Sequence, residues 1–365
     1  MAVGLPLKTT YANGDVYSAS DVNDTNGTVN LFTSSTLSRA AGKNIIINGG
    51  MDVWQRGTSF SIAASTYPAW SADRWLTSTN ANQACTLSRQ ATGDTTNLPS
   101  IQYALRYQRN SGQTGTGTLA LVQNVETANT IPLAGKPVTL SFYARRGANY
   151  SAASNALTIF LTTGTGTDQN YFGGGYSGSA YPVSGQTATL TTTWQRFTYT
   201  GTFDSTATEC FVYFGFTPTG TAGAADYFEV TGVQVEVGST ATTFSRTGGT
   251  IQGELAACQR YYQRAQNTSV FAGYGFGTAR STTQVDILIN LTVPMRTAPT
   301  AIDYSTLNLS NPGVAGFTMS NLVLDSTSNS VAMLLATSSG LTQYRSYLLN
   351  NNNSTAGYLG FTAEL

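Results

Sequence analysis

Between Val285 and Val293 every second residue is apolar: Val285, Ile287, Ile289, Leu291 and Val293 fall on one side of an extended chain. A period of two is the signature of a strand with one face in a core. The pattern recurs along the chain. Leu140, Phe142 and Ala144 alternate with Thr139, Ser141 and Arg145, and Leu157, Ile159 and Leu161 repeat it. Phe197 and Tyr199 oppose Trp194, Arg196 and Thr198. Val233, Val235 and Val237 alternate with Gln234 and Glu236, and Gly232 marks a bulge where the parity shifts. Phe211 to Phe216 is aromatic on both faces and is expected at the centre of a sheet. With Ile45 to Ile47, Tyr103 to Gln108 and Leu119 to Val125, these runs are short and separated by Gly, Pro and Asn. Such a series predicts an all-β chain of antiparallel sandwiches rather than a parallel α/β sheet. One β domain is expected from 43 to 248, opened by the stretch from Asn44 to Trp75 and closed by a strand from Phe228 to Gly238.

One helical pattern interrupts the strands. Ile251, Leu255, Cys258 and Tyr262 recur at 4-3-4 spacing, and Arg260 and Arg264 lie in the last turns, where cations suit the helix dipole. A connector helix is expected within 249–268. That stripe suits either packing against its own sandwich or the lining of a three-fold axis. A second, smaller β-sandwich is expected over 269–365, with strands at Phe317 to Leu324, Val331 to Ala336, Tyr344 to Leu349 and Tyr358 to Phe361.

Residues 1–42 hold too little apolar surface for a core. Ser18 and Asp21 resemble a capping box, and Val22, Thr25, Val29 and Phe32 would form one weak helical stripe. The segment reads as a flexible leader or as a docking segment ordered by a partner. It lacks the basic start and apolar core of a signal peptide, and no apolar run approaches the ~20 residues that span a bilayer. A chain made in a cytoplasm, without membrane insertion, is expected.

Only 10% of the 365 residues are charged, with 18 basic and 18 acidic side chains, against roughly 25% in ordinary soluble proteins. No basic block is present to bind phosphate, so no nucleic-acid role is expected. The chain has no histidine, which removes the histidine-based triads, metal sites and general bases together. Cys85, Cys210 and Cys258 are too dispersed for a zinc motif. They read as packed thiols, with a Cys85–Cys210 bridge as the alternative. Paired carboxylates can run a glycosidase without histidine, and Asp52, Asp73, Glu126, Asp168, Asp204, Asp226, Glu229 and Glu236 are the acids to consider. Nothing places two of them at a working separation, and Glu236 sits on the side of its strand expected to face solvent. No fixed-period repeat of a depolymerase β-helix is found. The expectation is a protein that is not an enzyme.

Several segments together carry a resemblance: Asn48-Gly49-Gly50-Met51-Asp52-Val53-Trp54-Gln55-Arg56-Gly57, Ala72-Asp73-Arg74-Trp75, Leu140-Ser141-Phe142-Tyr143-Ala144-Arg145, Gly232-Val233-Gln234-Val235-Glu236-Val237-Gly238 and Cys258-Gln259-Arg260-Tyr261-Tyr262. In order and spacing the chain resembles tail-fibre or minor tail proteins of tailed bacteriophages and prophages that carry a jelly roll like a carbohydrate-binding module. Gly14-Asp15-Val16 and Ser20-Asp21-Val22-Asn23 resemble a fibre start, and Val293-Pro294-Met295-Arg296-Thr297-Ala298-Pro299 resembles the domain that often follows. The resemblance implies a virion protein that attaches to other virion proteins through residues 1–42, is commonly a homotrimer, and contacts host-surface glycan. A non-adhesive baseplate, collar or head-surface component is the alternative, and a glycan hydrolase is less favoured. Jelly-roll binding modules often carry calcium, but no DxDxDG-like cluster is present, so no cofactor is expected.

Asp52, Trp54, Arg56, Asp73, Arg74, Trp75, Gln234 and Glu236 read as fold-defining, with Asp52–Arg56 and Asp73–Arg74 as pairs pinning the opening loops. For glycan, two loops combine aromatic faces with polar groups. The first is Asp168-Gln169-Asn170-Tyr171-Phe172-Gly173-Gly174-Gly175-Tyr176, where Asp168, Asn170, Tyr171, Phe172 and Tyr176 are the candidates. The second is Tyr67-Pro68-Ala69-Trp70, with Tyr67 and Trp70. An aromatic latch packed on the sandwich explains both loops equally well.

Overall fold

The computed structural model describes residues 43–64, 68–79, 83–311 and 314–365. The attachment segment expected at 1–42 lies outside the described residues, as does Tyr67. The rest is all-β: four antiparallel sheets and two short helices.

Twelve strands make the first two sheets. They are β1 (Ser59–Ile62), β2 (Ala69–Trp70), β3 (Leu76–Thr79), β4 (Cys85–Ala91), β5 (Tyr103–Arg109), β6 (Leu119–Val125), β7 (Pro137–Arg146), β8 (Ala156–Gly164), β9 (Ala180–Thr189), β10 (Gln195–Thr202), β11 (Glu209–Phe216) and β12 (Tyr227–Val237). One sheet runs β1-β4-β5-β12-β7-β10 and the other β2-β3-β6-β11-β8-β9. A four-residue helix, α1 (Thr127–Thr130), follows β6. The alternation dictates the packing. Leu140 and Phe142 of β7 meet Val212 and Phe214 of β11 in one core, where the Phe142 and Phe214 rings stand edge to face at 4.8 Å. As its two apolar faces require, β11 is central. The bulge is present, with the β12–β7 register shifting between Thr231 and Gln234 around Gly232 at φ 59°.

Two expectations about the edges are corrected. The closing strand β12 lies inside its sheet, between β5 and β7. The first part of the opening stretch, before β1, holds no strand. Residues 44–57 form a largely buried loop along the edge of β12, with Ile45 and Ile46 in the core between the sheets, because Asn44 and Gln123 supply the hydrogen bonds that a ladder would give. Asn44 Nδ2 donates to the Val233 carbonyl at 3.0 Å, and Gln123 receives the Ile47 N–H at 2.9 Å while donating to its carbonyl at 2.8 Å. Gly49 comes so close to β12 that a Cβ there would stand 2.1 Å from the Val233 carbonyl oxygen. The segment after β12 folds back over Gln234 and Glu236, with Ser245 bonded to Gln234 and Thr242 to Glu236, and buries both, correcting the expectation that Glu236 faces solvent. Glu236 accepts from the Thr242 N–H at 2.8 Å and pairs with Lys43 at 3.3 Å.

Helix α2 (Ile251–Gln259) is shorter than its pattern, and Thr250 caps it by accepting from the Gly253 N–H at 3.1 Å. The expected stripe is split. Ile251 and Leu255 are 46% and 37% exposed, while Cys258 packs with Ile47, Val53 and Tyr261. Glu254 is buried instead, accepting from the Asn48 and Gly248 N–H groups. Tyr262 already belongs to the next strand.

The remaining strands are β13 (Tyr262–Gln266), β14 (Gly273–Ala279), β15 (Gln284–Asn290), β16 (Ala301–Ser305), β17 (Asn308–Asn311), β18 (Val314–Phe317), β19 (Met319–Thr327), β20 (Val331–Ser338), β21 (Ser346–Asn350) and β22 (Tyr358–Thr362). They form a sheet β13-β22-β16 and a sheet β18-β17-β21-β14-β15-β20-β19. Val285, Ile287 and Ile289 turn inward to Leu334, Ala336, Leu349 and Phe361, a core separate from the first. Among the described residues no helix is long and apolar enough to cross a membrane. All three cysteines are buried free thiols, so the alternative Cys85–Cys210 bridge is not formed.

Candidate functional site

The outer face of the second sheet carries aromatic side chains that its inner face does not need. In β8, Leu157, Ile159 and Leu161 point to the core, which turns Phe160 and Thr162 outward. In β11, Val212 and Phe214 point inward and Phe211 and Tyr213 outward. The register sets Tyr213 opposite Phe160 and Phe211 opposite Thr162. Tyr181 of β9 and Tyr171 of the loop between β8 and β9 complete a depression of about 200 Å³ lined by Phe160, Thr162, Tyr171, Tyr181, Phe211 and Tyr213. Its rings meet edge to face, Phe160 with Tyr213 at 5.6 Å and with Tyr181 at 6.4 Å. Tyr171 lies against Phe211 at 4.1 Å. No charged side chain lines the groove.

Tyr181 is 49% exposed, leaving a ring face for a ligand, whereas Thr162 is fully buried and its Oγ1 has no hydrogen-bond partner. A buried hydroxyl without a partner is uncommon, and here it lies at the wall of a groove. Burial, with the neighbouring Tyr181 phenol, raises the Tyr171 pKa above its ordinary value, so the Tyr171 hydroxyl is a neutral donor near pH 7.

The 168–176 loop is built as a latch around this face. Tyr176 is buried under it, its hydroxyl donating to Asn124 Oδ1 at 3.1 Å and to the Cys210 carbonyl at 3.0 Å. Asn170 caps the turn Tyr171–Gly173 by accepting from the Phe172 N–H at 3.0 Å, and its Nδ2 donates to the Leu365 carbonyl at 2.9 Å. Asp168 receives the Thr127 N–H at 2.9 Å and pairs with Arg296 at 2.9 Å. Phe172 packs beside Tyr171 at 5.7 Å. Of the candidate glycan residues, Tyr171 lines the groove, whereas Asp168, Asn170 and Tyr176 engage their polar atoms within the protein. Trp70 packs at the margin of the same cluster, with the Arg56 guanidinium 5.5 Å from its ring.

Phe160, Thr162, Tyr181, Phe211 and Tyr213 were legible in part. The aromatic faces of Phe211 to Phe216, and the outward positions opposite Leu157, Ile159 and Leu161, already place rings and a hydroxyl on one surface. Reading them only as evidence of centrality misses the site.

The fold-defining residues hold the entry loops, with different partners from those expected. Asp52 pairs with Arg246 at 2.7 Å, not with Arg56. Arg56 and Arg74 both pair with Glu364, the former at 3.3 Å. The Arg74 guanidinium also lies 3.6 Å from the Tyr261 ring centre. Asp73 receives the Gln55 backbone and side-chain amides instead of Arg74. Trp75 Nε1 donates to the Asn48 carbonyl at 3.0 Å, and Trp54 Nε1 to the Met51 carbonyl at 2.8 Å. Neither expected pair is formed: Arg56 and Arg74 take their partner from the end of the chain, Asp52 from residue 246, and Asp73 from Gln55 in the same stretch.

Burial raises Asp73 to about 6, against the pull of Gln55 and Arg56. Glu126, Asp226 and Glu229 are each paired with arginine: Glu126 with Arg260 at 3.2 Å, Asp226 with Arg109 at 2.6 Å, and Glu229 with Arg106 at 2.6 Å and Arg145 at 2.5 Å. Asp204 caps an exposed turn through the Thr206 N–H at 2.9 Å. Among the described residues no three His, Cys, Asp or Glu side chains are grouped to hold a metal ion.

No protein-family model matches the chain, and no curated protein matches it. Solved structures do share partial likeness. The enzymatically active domain of bacteriophage CBA120 tailspike protein 4 is 12% identical with a TM-score of 0.34, over 53% of this chain and 21% of that one. A CBM4 module is 17% identical with a TM-score of 0.30, over 52% of this chain and 98% of that one. The family 11 carbohydrate-binding module of a cellulosomal cellulase of Clostridium thermocellum is 10% identical with a TM-score of 0.27, over 49% and 95%. Likenesses this distant carry no weight for function, and the chain spans about a fifth of the tailspike chain.

Proposed function

We propose that this chain is a non-catalytic structural protein of a tailed-bacteriophage virion, of the tail-fibre or receptor-binding type, whose first sandwich contacts host-surface glycan. Residues 1–42 attach it to other virion proteins, and the domain limits are those at 43–248, 249–268 and 269–365. The virion assignment rests on the sequence resemblance. Glycan contact rests on one observation: an uncharged groove of five aromatic rings, of which Tyr181 is half exposed. Sugar rings present C–H faces that pack on aromatic side chains and hydroxyls that bond to phenols at the rim. A groove of about 200 Å³ without charge suits one ring of a neutral sugar.

The test titrates the intact protein with neutral oligosaccharides of glucose, galactose and mannose and with sialylated or uronate-containing counterparts. Neutral ligands should bind, and Tyr181→Ala should weaken them about tenfold, the scale of one lost ring contact. Absence of binding, or full affinity in Tyr181→Ala, would sink the glycan reading.

The alternative, a non-adhesive component bound to neighbouring virion proteins, is favoured by a different surface. Phe276 and Leu288 are cross-strand partners on the outer face of the second sandwich and are 72% and 53% exposed.

A further inference from the structure

The groove lies on the first sandwich, yet the loop that supplies one of its walls is tied to the second. Arg296, in the segment between β15 and β16, reaches Asp168 Oδ2 at 2.9 Å and also donates to the Ala363 carbonyl at 3.2 Å. The following residues run alongside. Ala363 donates its N–H to the Tyr261 carbonyl at 2.7 Å, Glu364 pairs with Arg56 and Arg74, and Leu365 accepts from Asn170 Nδ2 at 2.9 Å. Both tethers land on the residues that shape the turn. Asp168 holds a left-handed backbone at φ 51°, and Asn170 is the cap on which Tyr171 is mounted. Beyond Tyr171 the loop tip is Gly173-Gly174-Gly175, and a Cβ at Gly174 or Gly175 would meet nothing within 4 Å. The first sandwich holds the same loop through the Gln169 N–H to Glu209 at 2.8 Å, the Asp168 N–H to Thr127 at 3.0 Å and the Tyr176 hydroxyl, so the Arg296 and Leu365 tethers are the part of its anchoring that comes from the second sandwich.

We infer that Arg296 and the segment Ala363–Leu365 are positioning elements of the groove, so that docking of the second sandwich sets affinity for a ligand on the first. The inference rests on the glycan reading for its ligand. Arg296 touches no groove residue and acts through Asp168, and preorganising a binding wall lowers the ordering cost of binding.

Two variants test it. Arg296→Gln removes the ion pair from one side. Asp168→Asn removes it from the other while keeping the acceptor for Thr127, in a residue that tolerates left-handed backbone. Amide hydrogen exchange and titration with the neutral oligosaccharide panel are read together. Exchange over 168–176 should rise severalfold in both variants with the sheet strands unchanged, and affinity should fall about tenfold. Arg296→Lys should restore much of both. Unchanged exchange, or faster exchange at full affinity, overturns the positioning role. A wild-type protein that binds no oligosaccharide in the panel sinks the glycan reading itself and the positioning role with it, an outcome distinct from variants that match a binding wild type.

Discussion

The Tyr176 hydroxyl donates to Asn124 Oδ1 and to the Cys210 carbonyl at 3.1 and 3.0 Å, joining the 168–176 loop to two strands of the second sheet. This makes Tyr176 a latch whose phenol is withheld from ligand. Tyr176→Phe keeps the ring against Phe211 but leaves the Cys210 carbonyl short of a donor. It should cost about 1–2 kcal/mol, the range for a lost buried hydrogen bond, read from chemical-denaturation midpoints. Oligosaccharide affinity should stay within about twofold if the sheet-bound rings carry the site.

Asp73 gives a pH signature. Burial raises its folded-state pKa to about 6 from the ordinary 3.8, so folding takes up a proton there between those values. A group raised on folding contributes stability that is complete below its unfolded pKa and lost as pH rises through its folded one. From pH 4 to pH 7 this residue should therefore remove stability, by at most about 3 kcal/mol. Denaturation midpoints of wild type and Asp73→Asn across that range isolate its share, because the other raised acids, Glu209 and Glu254, remain in both proteins. The variant's midpoint should fall less on the way to pH 7. Parallel curves would overturn the assignment.

The strands were legible because period-two alternation is a local property, and β7, β8 and β15 follow it. What failed was non-local. Ile45 to Ile47 has the composition of a strand, but its partners are the side chains of Asn44 and Gln123 and the edge of β12, so it folds as a covering loop. Glu236 alternates to the outside of its sheet, and only the segment returning through Thr242 makes the outside an interior. The Asp–Arg clusters were visible as clusters, yet their partners Arg246 and Glu364 lie 194 and 290 residues away from Asp52 and Arg74. The aromatic groove was hidden for a similar reason. Phe160, Tyr181 and Phe211 stand on three strands, and no window along the chain contains them together.

Gly49 tests the covering loop directly. A Cβ at this position would stand 2.1 Å from the Val233 carbonyl oxygen, which is backbone and cannot rotate away. The Val233 N–H also donates to the Gly49 carbonyl at 3.0 Å, so the loop cannot lift locally without losing that bond. Gly49→Ala should destabilise by about 2–4 kcal/mol, in the range of strained or overpacked core substitutions. Gly93→Ala is a control at a glycine with open space, and its cost should be only that of its positive φ, about 1 kcal/mol. Equal melting temperatures for the two variants would contradict the close approach.

Glu364 is the expected weak point for the association of the two sandwiches. It is the acidic partner of both Arg56 and Arg74, and the Arg74 side chain is only 2% exposed. Arg74 keeps a hydrogen bond to the Asn124 carbonyl at 2.7 Å and the Tyr261 ring, but its Nε has no partner. Glu364→Gln would therefore leave a buried guanidinium without a counter-charge, a change that costs about 3–5 kcal/mol. Because the lost contacts join residues 56 and 74 to residue 364, unfolding should become less cooperative as well as easier. Calorimetry should resolve a separate transition for the second sandwich in Glu364→Gln and a more concerted one in wild type. The double variant Arg74→Met/Glu364→Gln removes the uncompensated charge and should recover more than half of the loss. If Glu364→Gln melts like wild type, the pair contributes nothing to holding the sandwiches together.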